Sequence, residues 1–248
     1  MVKGLDTFRK YFEDYEEQYV LIGGAACDIL FESNEVNFRA TRDLDMVLIV
    51  EALTPEFGEK FWEFIVDGKY RNKATNGSNP QFYRFDKPED DNFPKMIELF
   101  CRSDFKLKDA KGITPIHIDD EVSSLSAILL NDAYYKALLN GKEVRNGLSV
   151  LRPEYIILFK AKAYLDLKKQ KDLGEKVDSS DIKKHKKDVL RIASELMLEK
   201  VEELPTAVDA DIHSFIDLLE QEPFDQNSLK RYGLKNEEIV ELLKQVFG

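Results

Sequence analysis

The chain has 248 residues, a net charge of −11, 43% hydrophobic, 33% charged and 11% aromatic residues. This composition excludes a disordered or collagenous chain and suffices for a real hydrophobic core in one large or two modest domains. Two cysteines, Cys27 and Cys101, do not read as a disulfide framework, and no Cys/His set has zinc-ligand spacing, so a reducing, cytoplasmic setting is expected.

No apolar run approaches the roughly 18 residues of a spanning helix, and the first residues lack a signal-peptide apolar region, so no membrane partner is expected. The acidic balance speaks against a protein that coats nucleic acid, while leaving room for a local basic patch.

Leu5, Phe8, Phe12 and Tyr15 recur at helical spacing and predict an amphipathic helix over 5–18. Tyr19 to Ile22 is a short apolar strand ended by Gly23-Gly24, and the following segment has helix composition. A second strand runs from Leu44 to Val50 with two aspartates at its entrance, a helix covers 56–66, and further strands cover Gln81 to Asp86 and Met96 to Cys101. From about residue 124 the pattern turns helical, with long helices from Pro153 to about Lys171 and from Asp181 to about Lys200. The fold expected is α/β (α+β): an N-terminal mixed-sheet domain over 1–120, then a mostly helical domain over 121–248. Residues 160–191 hold eleven basic and six acidic residues, so positive charge is concentrated there. Such a run is either a solvated helix face or a track for a phosphate backbone.

The chemistry-bearing signal is Thr41-Arg42-Asp43-Leu44-Asp45 leading into the second strand. Aspartate is depleted in strands, and side chains at i and i+2 share a face about 7 Å apart, so both carboxylates converge. Two ionised carboxylates side by side resist desolvation unless a cation lies between them, and Mg²⁺ prefers hard oxygen ligands while keeping positions open for phosphate oxygens. An isolated pair of this kind is more often a turn cap plus an exposed strand residue. Upstream, Gly23 and Gly24 end a strand and open a helix, which lets backbone N–H groups approach an anion. The chain carries no Walker lysine and no Rossmann glycine fingerprint. Glu98 shares a strand face with Met96 and Phe100, an unattractive place for a charge unless it is neutralised, and a metal would neutralise it. The other reading is a glutamate at the rim of an edge strand.

This order of elements resembles the DNA polymerase beta-like nucleotidyltransferase superfamily. Within it, Arg39-Ala40-Thr41-Arg42-Asp43-Leu44-Asp45 is similar to the Arg-x-[Ser/Thr]-x-Asp-hydrophobic-Asp signature of the AbiEii-type toxin nucleotidyltransferases. Pro153 to Ala163 resembles that family's later helix, in which a lysine seven residues after a proline begins a K-x-x-A pattern; that lysine is Lys160. On a helical wheel Lys160 falls among Ile156, Ala163, Tyr164 and Leu167 and points inward, where it needs an anionic partner or a path for its head to water, whereas Lys162 projects with Asp166 and Lys169 on a polar sector. The family's last motif matches Asp188-Val189, but Lys184 stands at its earlier aspartate, the interval from Gly24 to Asp43 is longer than usual, and Gly-Gly replaces the common Gly-Ser. His185 falls at the apolar edge of Ile182, Ile192 and Leu196, the place of a packed histidine more often than of a catalyst.

The resemblance implies Mg²⁺-dependent transfer of an NMP from an NTP to a hydroxyl acceptor. Asp43, Asp45 and Glu98 would be the catalytic and metal-binding carboxylates of a two-metal site. Gly23, Gly24, Arg39, Thr41, Lys160 and Asp188 would line the nucleotide. It further implies an RNA acceptor such as tRNA and a cognate antitoxin. A small-molecule acceptor, or a non-catalytic nucleotide-binding module of the same fold, stays open.

Overall fold

The computed structural model describes residues 2–32, 43–72, 82–100, 128–129 and 131–248. It divides into two compact units, Met1–Asp119 with Lys142–Leu151, and Asp120–Gly141 with Arg152–Gly248. The architecture is mixed α/β, with a sheet in the first unit and helices in the second. Among the described residues no helix is long and apolar enough to cross a membrane.

In the first unit, helix α1 (Leu5–Phe12) is shorter than its apolar spacing suggests. Beyond Phe12 the chain tightens into i to i+3 bonds, Tyr15 N–H to Phe12 O and Gln18 N–H to Tyr15 O, and a 3₁₀ turn at Glu16–Gln18 aims it into strand β1 (Tyr19–Ile22). Helix α2 (Gly23–Glu32) starts directly on the two glycines. Strand β2 (Asp43–Leu48) takes in both aspartates. Helix α3 (Pro55–Asp67) opens on Thr54, whose hydroxyl accepts the Phe57 N–H, followed by Pro55 in the first turn where its missing N–H costs nothing. Strands β3 (Arg71–Asn72), β4 (Phe82–Asp86) and β5 (Met96–Phe100) follow.

With β6 (Lys142–Arg145) and β7 (Leu148–Leu151), the sheet order is β3-β4-β5-β2-β1-β7-β6. Strand β2 pairs antiparallel with β1 and parallel with β5, and β4 pairs antiparallel with β5. One face is closed by aromatic rings from α1 and α3: Phe8 lies edge-on to Tyr19 at 5.5 Å, Phe61 to Phe85 at 5.5 Å, and Phe12 to Phe64 at 5.4 Å. Phe57, Phe61 and Phe64 recur at i, i+4 and i+7 and are fully buried, so α3 delivers one apolar stripe to this core.

Strands β6 (Lys142–Arg145) and β7 (Leu148–Leu151) are an addition that the helical reading of the second half left unassigned. They form a hairpin closed by Asn146 (φ 51°) and Gly147 (φ 71°), and β7 pairs parallel with β1. Positive φ at both central residues is the two-residue turn whose twist matches a hairpin, and Asn-Gly is its strongest sequence signal.

The second unit comprises α4 (Asp132–Asn140), α5 (Pro153–Asp172), α6 (Ser179–Glu195), α7 (Thr206–Gln221), α8 (Gln226–Tyr232) and α9 (Asn236–Phe247). Helices α5 and α6 form an antiparallel pair against which α7 and α9 pack, with Tyr134 edge-on to Phe159 at 5.5 Å and Tyr164 to Phe215 at 5.4 Å. Helix α6 ends at Glu195, short of the expected Lys200.

Glu154, in the first turn of α5, is buried, and its Oε1 accepts the Glu199 N–H at 2.6 Å. Burial raises its pKa above the ordinary glutamate range. Its folded pKa therefore exceeds its unfolded one, so this group costs nothing below the unfolded pKa, and its cost grows as pH rises through the folded pKa. Glu154→Gln keeps an acceptor oxygen and removes the charge. In thermal melts the variant is expected to gain stability relative to the wild type as pH rises above the ordinary glutamate range, and a difference independent of pH would contradict the assignment.

Candidate active site

Along β2 the residues alternate: Leu44 and Met46 are buried, while Asp43 and Asp45 on the opposite face are half-buried. Asp45 is aligned with Glu98 of β5 on one side and with Ile22 of β1 on the other, and Glu98 is aligned with Arg84 of β4. Aligned residues share a sheet face, so Arg84, Glu98 and Asp45 form one charged row across three strands. Asp43 stands two residues along β2 on the same face, opposite Met96. The three carboxylates singled out from the sequence thus lie on one face of adjacent strands.

Glu98 is only 7% exposed. Arg84 donates to its Oε1 from both Nε (2.8 Å) and Nη2 (2.6 Å). The counter-charge that burial demands is therefore a guanidinium, a partner the sequence reading missed. Arg84 is legible as a basic residue inside a strand, but that β4 lies beside β5 is not a local property. Among the described residues Glu98 Oε2 has no hydrogen-bond partner.

Gly23 connects this row to the helix. Its φ is +60°, and a Cβ there would overlap Asp45 Oδ2, so the Asp45 carboxylate rests against the glycine that begins α2. Two independent conditions, left-handed backbone and close approach, both require glycine. The first amides of a helix have no intrahelical acceptor and carry the positive end of its dipole, which moderates the cost of a carboxylate placed there. Gly24 occupies the second helical position. Gly23→Ala is expected to destabilise the chain by about 1–2 kcal/mol for the backbone alone, a fall in Tm of roughly 2–8 °C. A variant that melts with the wild type would contradict the packing of Asp45 on Gly23.

In the second unit, Lys160 does turn inward, and its Nζ lies 3.0 Å from Asp188 Oδ2, with the two side chains 16% and 10% exposed. The anionic partner that an inward lysine needs is thus the aspartate of α6, and the pair joins the two residues that the resemblance assigns to one function. Lys162 reaches two carboxylates, Asp166 at 3.0 Å and Asp211 of α7 at 3.3 Å, because α7 packs where a lone helix would face water. His185 is buried one turn before Asp188. Arg39 and Thr41 lie outside the described residues.

Among the described residues no group of three or more His, Cys, Asp or Glu side chains stands close enough to hold a metal ion by itself. Mg²⁺ does not need such a cage; it is commonly bound by one or two carboxylates, with water and substrate phosphates completing its six positions. The half-buried Asp43–Asp45 pair fits that mode of binding.

No family model and no curated protein sequence matches the chain. Among solved structures, it is similar to the crystal structure of an antigenic nucleotidyltransferase-like protein from Paracoccidioides brasiliensis, at 14% identity and a TM-score of 0.42, covering 93% of this chain and 95% of that one.

Proposed function

We propose that the chain is a nucleotidyltransferase that moves an NMP from an NTP to a hydroxyl acceptor. The observation that carries this reading is the position of Asp45, in one row with the Arg84-braced Glu98 and resting on the glycine that starts α2, with Asp43 beside it on the same face. A triphosphate needs backbone N–H groups and a cation at one place, and this row supplies carboxylates next to a helix N-terminus.

Asp43 and Asp45 would hold Mg²⁺, which would neutralise charge on the phosphate oxygens and draw the acceptor hydroxyl and the α-phosphate together. Gly23 and Gly24, without side chains, admit the phosphates to the backbone amides. Glu98 is held by Arg84 through one oxygen and would accept the proton of the attacking hydroxyl on the other. Attack of that hydroxyl oxygen on the α-phosphorus forms the new ester and breaks the bond to pyrophosphate. The acceptor in this reading is an RNA end, as the AbiEii-type signature implies, with a cognate antitoxin as the partner that would restrain it.

The test is incubation of the full chain and Mg²⁺ with each α-labelled NTP, offered total RNA and, separately, a panel of small-molecule alcohols. Labelled RNA with release of pyrophosphate is expected. Label on a small alcohol alone replaces the acceptor. Stabilisation by Mg²⁺-NTP without any transfer would leave a nucleotide-binding module, and neither transfer nor stabilisation would overturn the reading.

A further inference from the structure

The helical unit contains a cleft of about 620 Å³ formed by α5, α6 and the start of α8 with the segment before it. That is the size of a small-molecule site. Its lining starts at Tyr164, one turn along α5 from Lys160, and includes neither Lys160 nor Asp188. Its inner wall is apolar, with buried Ile182, Leu190 and Phe224. Lys186 Nζ sits between two rings, 5.8 Å from Tyr164 and 5.4 Å from Phe224, and donates to the backbone carbonyls of Glu222 and Pro223.

The rim is basic, with five lysines against three carboxylates. Two of those carboxylates are already engaged: Glu222 accepts from Lys168 at 2.7 and 3.0 Å, and Asp225 accepts from Ser228 at the start of α8. Lys171 donates to Ser179 Oγ at 2.7 Å. Lys183 and Lys187 are exposed and form no salt bridge among the described residues, and Lys187 lies within electrostatic reach of Asp225. They stand at i and i+4 on α6, where like charges repel. An anion seated between them would relieve that repulsion, and a flat ring bound with it would find the aromatic and aliphatic wall behind.

We propose that this cleft binds a nucleoside phosphate, its phosphate held by Lys183 and Lys187 and its base taking the place of the Lys186 ammonium against Phe224 and Tyr164. The same chemistry is offered by a free nucleotide and by the terminal nucleotide of a strand. The site belongs to the helical unit, and the inference does not rest on the proposed transfer reaction.

The test is calorimetric titration of the full chain in EDTA with AMP, adenosine, inorganic phosphate and a 5′-phosphorylated trinucleotide. AMP or the trinucleotide is expected to bind at least ~10-fold more tightly than adenosine or phosphate alone, because a site that pairs a charge with a ring rejects either half. The double variant Lys183→Glu/Lys187→Glu is expected to lose at least ~10-fold in affinity with unchanged Tm, since both side chains are on the surface. Tighter binding of AMP assigns a free nucleotide, and tighter binding of the trinucleotide assigns a strand end. Equal affinity for inorganic phosphate and AMP overturns the role of the rings. Unaltered affinity in the double variant, or no binding of either nucleotide, overturns the site. Loss of AMP binding in Asp45→Asn instead would move the ligand to the carboxylate row and also overturn the proposal.

Discussion

Asp45→Asn, and separately Asp43→Asn, is expected to lower nucleotidyl transfer by about 10³-fold, equivalent to about 4 kcal/mol of transition-state stabilisation, while Tm stays within roughly 2 °C of the wild type. The asymmetry between activity and stability is the informative part. Both side chains are half-buried on one strand face beside Glu98, so removing one negative charge relieves repulsion in the folded state instead of uncovering a hole in the core. A catalytic loss with Tm maintained or raised marks residues kept for a cation. Full Mg²⁺-dependent activity in either variant would remove that residue from the metal site, and a large drop in Tm would make the pair structural.

The second large effect concerns the brace. Arg84→Met is expected to cost about 3 kcal/mol, read as a fall in Tm of roughly 6–12 °C, because it leaves the Glu98 carboxylate inside the sheet with its counter-charge gone. The low end of the range for buried pairs applies, since the Arg84 side chain remains 24% exposed. Arg84→Met/Glu98→Leu is expected to recover most of the stability, because replacing both partners by apolar groups abandons no charge. The recovered protein should still be inactive if Glu98 takes the hydroxyl proton. A fully active double variant would reduce the ion pair to a fold element, and a single variant as stable as the wild type would contradict the pairing.

What could be read from the sequence was whatever depends on neighbours along the chain. The β1 strand, the helix start at the two glycines and the alternation that sets Asp43 and Asp45 apart from Leu44 and Met46 are period-two or capping signals. The inward turn of Lys160 followed from helical periodicity. Strand order was not legible: β4-β5-β2 brings Arg84, Glu98 and Asp45 into one row from positions far apart in sequence, and nothing local to Glu98 announces its guanidinium. The β6–β7 hairpin did carry a local signal in Asn146-Gly147. It is easily overlooked because β6 reads Lys-Glu-Val-Arg, with little of the apolar alternation by which strands are recognised.

That same charged strand has a consequence for how the molecule behaves in a crowded solution. Strand β6 ends the described sheet on one side. A free sheet border is a template on which another chain can add itself, and short borders or borders studded with lysine and arginine are the usual deterrents. The β6 border, Lys142-Glu143-Val144-Arg145, carries the charged kind. That side of the sheet should accordingly resist the edge-to-edge addition by which a sheet bordered by a long apolar strand begins to form fibrils.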